Sequence, residues 1–177
     1  MTDINNKRYL KEVNLVNNNN LSNNTLNNTL FADEEKTLNL VRQVIAQRGI
    51  SSRFGYDIPE SFDMISESTI LKMKEIDKTH QSNIISRDVA IEMIADLFEG
   101  ESVNREFQKH VDNLYLEKLK KLYELMETKY QDLLHELNTG KIDQKEFLER
   151  YSKLRELQGN SISELLTSDE TLRQHTR

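Results

Sequence analysis

The chain has 177 residues, of which 31% are charged and 36% are hydrophobic, and its formal net charge is -6. This length suits one domain with a modest core, and the absence of cysteine excludes disulfides and cysteine-ligated zinc or iron–sulfur sites. No apolar run approaches the roughly 20 residues that span a bilayer, and the N-terminus lacks the apolar core of a Sec signal. The sequence therefore predicts a cytoplasmic protein, with Sec-independent secretion as the alternative.

Residues 1–32 differ in composition from the rest of the chain. Eleven of the first 30 residues are asparagine, and so few apolar side chains cannot offset the entropy lost on ordering. The sequence predicts a disordered asparagine-rich tail over 1–32. Three interpretations stay open for it: a short linear recognition motif, a signal for Sec-independent secretion, or neutral drift in composition.

Three helices are predicted between residues 33 and 100. The first begins at Asp33 and ends at Gly49, the second follows a Ser66 cap, and the third follows a Ser86 cap and stops at Gly100. Their apolar residues recur at helical spacing. The connection between the first two contains apolar residues and the only proline of the chain, so we expect an irregular segment that packs on the domain.

The strongest pattern lies in residues 103–158, which predict two helices folded back on each other. Seven apolar residues alternate steps of three and four, which places them on one helical stripe: Leu116, Leu119, Tyr123, Met126, Tyr130, Leu133 and Leu137. A stop at 138–140 and a capping box at 143–146 separate the two arms. The second arm carries Phe147, Tyr151, Leu154 and Leu157 and is expected to end at Gly159.

These elements predict an all-α fold. It consists of a single helical domain over 33–167 that includes a long antiparallel, coiled-coil-like hairpin at 103–158, and a flexible C-terminal tail over 168–177. No alternating run of β-branched residues indicates a strand.

The sequence offers little chemistry. Its four histidines stand beside no recognisable nucleophile, and the pairs Asp132 with His135 and Glu106 with His110 are too few for a helical carboxylate metal site. The glycines are never closer than six residues apart, which excludes glycine-rich phosphate loops. We therefore predict no catalytic residue, no cofactor and no metal.

Two features favour a protein partner. Asp88, Glu92, Asp96 and Glu99 recur along the third helix as an acidic stripe that could receive a basic partner, or could be ordinary solvated surface. Leucines off the hairpin seam, above all Leu122 and Leu125, make the first arm more apolar than a shorter second arm can cover, so we expect a homo-oligomer or a dedicated partner.

The predicted function is a non-enzymatic helical protein–protein interaction protein: an adaptor, chaperone, assembly factor or secreted effector. The alternative is an oligomeric regulator that binds nucleic acid. The negative net charge and the lack of a continuous basic stripe argue against that alternative.

Overall fold

The protein is all-helical over the residues that the computed structural model describes, which are 30–175 for the backbone and 30–168 for the side chains. That part of the chain forms six α-helices and one short 3-10 helix, and it contains no strand. The α-helices are α1 Glu34–Arg48, α2 Ile50–Phe54, α3 Glu67–Gln81, α4 Arg87–Lys109, α5 Leu114–Asn138 and α6 Gln144–His175, and the 3-10 helix is Phe62–Met64.

The chain divides into two compact units, the first ending at Glu99 and the second beginning at Gly100, so the boundary falls inside α4. The sequence predicted one domain over 33–167 and gave no sign of this division, because no linker marks it. Two compact units can still unfold as one cooperative domain, and the single domain therefore stays a prediction.

The first unit begins earlier than the sequence predicted. Leu30 and Phe31 are each only 2% exposed, although they were assigned to the tail over 1–32. The Leu30 N–H donates to Asp77 Oδ1 at 2.9 Å, and the Phe31 ring packs edge-on against Phe62 at a centroid distance of 5.3 Å. The overall composition of residues 1–32 is dominated by asparagine, so it did not reveal that two apolar residues near the end of this stretch are buried. Residues 1–29 of the predicted tail lie outside the described residues.

Local signals located the first-unit helices well. The Asp33 side chain accepts from the Lys36 N–H at the start of α1, and Gly49 ends this helix in the left-handed conformation at a φ of 72°. Ser66 caps α3 as predicted, by accepting from the Thr69 N–H. The connection before α3 packs on the unit, since Tyr56, Phe62 and Ile65 are all buried. It is more helical than predicted because it contains α2 and the 3-10 helix.

Two glycines that were predicted to end helices lie inside them. α4 continues through Gly100 to Lys109, and α6 continues through Gly159 to His175. Neither glycine has a positive φ, in contrast to Gly140 at 76°. A helical glycine costs only about 1 kcal/mol relative to alanine, which packing of later residues can offset. The helix α6 therefore extends to residue 175, and the flexibility predicted for residues 168–177 stays a prediction.

The second unit contains the predicted hairpin, formed by α5 and α6. All seven seam residues of α5 are buried, which confirms the stripe. The stop also forms, and the Asp143 side chain accepts from the Glu146 N–H at 2.8 Å to cap α6. Ile142 and Phe147 flank this cap and are 7% and 1% exposed, as expected of a hydrophobic staple.

The predicted lengths of the two arms are wrong. Residues 103–109 belong to α4, and the chain breaks before α5 because the Asn113 side chain accepts from the N–H groups of Tyr115 and Leu116, both at 3.0 Å. α5 has 25 residues and α6 has 32. The second arm therefore runs the full length of the first, as shown near its far end by the Tyr115 hydroxyl at 3.5 Å from the Ser168 carbonyl oxygen.

Candidate functional site

Burial divides the predicted acidic stripe of α4. Asp88 is exposed and Glu92 is half-buried, whereas Asp96 and Glu99 are 6% and 0% exposed. The prediction that all four carboxylates lie on a polar outer face is therefore wrong for Asp96 and Glu99. The physical reason is that every residue from 93 to 99 is buried, so this stretch of α4 has no solvent-exposed face.

The two buried carboxylates belong to an ion-pair network inside the first unit. Arg48 Nη1 donates to Asp96 Oδ1 at 2.8 Å and to Glu99 Oε1 at 3.0 Å, and the Tyr56 hydroxyl donates to Glu99 Oε2 at 2.7 Å. A buried carboxylate must be paired and hydrogen-bonded to remain charged. This network joins the end of α1, the connection after α2 and the middle of α4, and it holds both carboxylates in the interior of the first unit.

The other two acids of the stripe line a shallow groove between α1 and α4. The groove has a volume of about 240 Å³. Its lining comprises Leu40, Gln43, Val44, Gln47, Arg87, Asp88, Ile91 and Glu92. One arginine therefore faces two carboxylates over an apolar floor. A partner-binding role for Asp88 and Glu92 stays a prediction.

A buried polar cluster fixes the register of α5 against α6. Gln158 Oε1 accepts from the Tyr130 hydroxyl at 2.9 Å and from Arg155 Nη1 at 3.0 Å. The Arg155 guanidinium carbon lies 4.7 Å from the Tyr130 ring centroid and 5.0 Å from that of Tyr151, close enough for cation–π attraction. These contacts are directional, so they also fix which residues the hairpin presents on its outer surface.

The outer surface carries a groove between α5 and α6 with a volume of about 400 Å³. Its lining comprises Lys129, Asp132, Leu133, Glu136, Arg150, Lys153, Leu154 and Leu157. Glu136 forms ion pairs with Arg150 at 3.1 Å and with Lys141 at 3.5 Å. These ion pairs lie at the end of the groove nearest the turn between α5 and α6. The leucines form an apolar floor, and charged side chains of both signs form the rim.

Two leucines beside this groove are half exposed. Leu157 lines it and is 50% exposed, and Leu125, one helical turn before Lys129, is 52% exposed. Leu157 was predicted to face inward. The seam position seven residues after Tyr151 is instead occupied by Gln158, which is 3% exposed. Leu157 therefore lies outside the seam. Continuing the alternation of four and three from Phe147 would have located Gln158 and revealed the exposed position of Leu157.

The predicted contacts Leu122 and Leu125 differ in exposure. Leu122 is half-buried and Leu125 is exposed. The argument from a short second arm no longer supports them, because α6 covers the length of α5. Leu125 nevertheless lies on the same helical stripe as Lys129 and Asp132, which line the groove between α5 and α6. We call the surface formed by the lining of this groove and Leu125 the hairpin face.

Three charged side chains on the hairpin face make no ion pair within the described residues: Lys129, Asp132 and Lys153. All three are exposed. Such charged groups can form ion pairs with another chain without breaking an ion pair within the described part of their own chain, so this free-energy cost of association is absent. Sequence reasoning missed these residues because their common position depends on how α5 and α6 pack.

Among the side chains that the structure describes, those of residues 30–168, no group of three or more histidine, aspartate or glutamate residues is arranged to hold a metal ion. None of the helices described there is long and apolar enough to cross a membrane. Comparisons with protein-family models, with curated proteins and with solved structures find no match to this chain.

Proposed function

We propose that this protein is a non-enzymatic helical interaction protein, of the adaptor, chaperone, assembly-factor or secreted-effector kind, that binds another protein chain through its hairpin face. The observation that carries the proposal is the position of Leu125 and Leu157. Single exposed leucines are ordinary on protein surfaces. These two lie beside one leucine-floored groove whose lysines and aspartate make no ion pair within the described residues.

The chemistry of the hairpin face suits an amphipathic helix better than a small molecule. Small-molecule sites enclose most of their ligand, whereas this groove runs along two antiparallel helices, and Leu157 in its lining is 50% exposed. Burying the exposed halves of Leu125 and Leu157 would contribute about 1 kcal/mol each. A partner helix would place apolar side chains on the floor and polar side chains against the charged rim.

Site-specific photocross-linking in native host cells tests this proposal. A photoreactive phenylalanine analogue replaces Leu157, and in a matched strain it replaces Leu148. Leu148 is 49% exposed on the same helix, nine residues away, which is half a revolution at about 100° per residue. We expect a discrete cross-linked protein species from position 157 and none from position 148.

Equal cross-linking at both positions, or none at either, would refute a role for the hairpin face. Circular dichroism of both variants would check that the analogue leaves the helices intact. Since both replaced leucines are half exposed, neither substitution should disturb the seam.

A further inference from the structure

We propose that the partner of the hairpin face is a second copy of the same chain, docked antiparallel about a twofold axis near Leu125 and Leu157. This inference rests on the proposed function and names its partner. A twofold interface must be self-complementary, so that a residue on one side of the axis meets its counterpart from the other side. The charges seven residues to either side of each leucine have this property, whereas four residues from Leu125 the two copies bring Lys121 against Lys129.

On α5, the charges seven residues before and after Leu125 have opposite signs. Lys118 lies seven residues before this leucine and Asp132 lies seven residues after it, and a spacing of seven keeps all three on one helical stripe. If two copies of α5 cross antiparallel at Leu125, Lys118 of each copy meets Asp132 of the other. Both side chains are exposed, and neither makes an ion pair within the described residues.

α6 repeats this arrangement about Leu157. Arg150 lies seven residues before it and Glu164 seven residues after it. An antiparallel crossing of two α6 helices at Leu157 therefore pairs Arg150 with Glu164 of the other copy. Glu164 is exposed and makes no ion pair within the described residues, and Arg150 has donors beyond those that reach Glu136 and Glu146.

The two crossing points are compatible with a single axis. Arg150 and Glu136 lie opposite each other, with Arg150 Nη1 at 3.1 Å from Glu136 Oε2. Leu157 lies seven residues beyond Arg150, and Leu125 lies eleven residues before Glu136. Both leucines lie on the same side of the Arg150–Glu136 pair along the hairpin axis. At 1.5 Å per residue, their positions along that axis differ by about 6 Å. The long side chains of Lys118 and Arg150 can span an offset of one helical turn.

The available area also suits a dimer. α5 has 25 residues and is about 37 Å long, and two packed helices present a face about 19 Å wide. The product is about 700 Å² on each copy, close to the roughly 800 Å² per partner of a standard interface. Half-exposed leucines with peripheral ion pairs favour a weak dimer, with a Kd on the order of 10 µM.

A charge exchange measured on the full chain tests the proposal. Lys118→Glu and Asp132→Lys should each raise the dimer Kd at least about tenfold, because like charges then meet across the axis. The double variant should return the Kd to within about threefold of wild type. Lys118 and Asp132 lie 14 residues apart, about 21 Å along one helix. Rescue can therefore arise only between two copies.

Sedimentation velocity over about 1–300 µM gives these constants, and circular dichroism checks that each variant remains helical. Glu156→Lys, an exposed reversal on α6 next to Leu157 but turned away from the hairpin face, is the control and should leave the Kd unchanged. A monomeric wild type at every concentration, or a double variant no better than the single ones, would overturn the proposal. If position 157 nevertheless cross-links to a different protein, the proposed function stands and only the second copy is refuted.

Discussion

The buried network around Glu99 predicts a large loss of stability when its cation is removed. Arg48→Met keeps the length and apolar stem of the side chain, but it leaves Asp96 and Glu99, 6% and 0% exposed, without their arginine. Removing one partner of a buried ion pair costs about 3–5 kcal/mol. Arg48 is itself 20% exposed, so we expect the lower value, about 3 kcal/mol.

Urea unfolding followed by far-ultraviolet circular dichroism measures this loss. A loss of about 3 kcal/mol is a large fraction of the 5–15 kcal/mol that stabilises a typical domain, and it corresponds to a fall in Tm of roughly 6–12 °C for a chain of this size. Arg87→Met, at an exposed arginine of α4, is the control and should change the free energy of unfolding by less than about 0.5 kcal/mol.

Neutralising the stranded acids provides a second check on the cause. In the Arg48→Met background, Asp96→Asn and Glu99→Gln remove the unpaired charges, so together they should restore part of the lost stability. A cost of less than about 1 kcal/mol for Arg48→Met would refute the reasoning. So would a triple variant less stable than the single one, because the loss would then come from packing and not from unpaired charge.

Two further predictions concern glycines and the chain start. Gly159→Ala should stabilise the protein by about 1 kcal/mol, because this glycine is helical and a Cβ there would meet open space. Gly140→Ala should destabilise the protein by about 1 kcal/mol, because φ at Gly140 is 76°. Thermal unfolding measures both changes, and a destabilised Gly159→Ala would contradict a continuous α6. Deleting residues 1–28 should leave the Tm nearly unchanged, whereas extending the deletion through Phe31 should cost about 3 kcal/mol or more, as for other buried aromatics; equal losses from both deletions would contradict it.

The parts of the fold that depend on neighbouring residues were predictable from the sequence. The seam of α5, the Asp33 cap and the Asp143 cap each arise from contacts within a few positions of the chain. Such signals specify a helix and its buried face without reference to any other element. The all-α class and the antiparallel hairpin followed from them.

The parts that depend on distant residues were not predictable. Asp96 and Glu99 read as a polar face because their cation, Arg48, is about fifty residues away. Gly159 read as a stop because a glycine inside a helix and one after it differ only in the packing that follows. The sequence predicted Leu157 as a core residue because the seam position is occupied by a polar residue, Gln158. Gln158 is buried there because it forms hydrogen bonds with Tyr130 and Arg155.

The most direct test of the central claim compares Leu157→Asp with Leu148→Asp. The two leucines share a helix and differ by one percentage point in exposure, 50% against 49%. In each variant a photoreactive phenylalanine analogue at position 125 reports binding of a partner in host cells. Light scattering and far-ultraviolet circular dichroism of the purified chain report self-association and folding. We predict that both variants stay folded and that only Leu157→Asp loses association. Equal association of the two variants, or unfolding of Leu157→Asp, would contradict an interaction through the hairpin face.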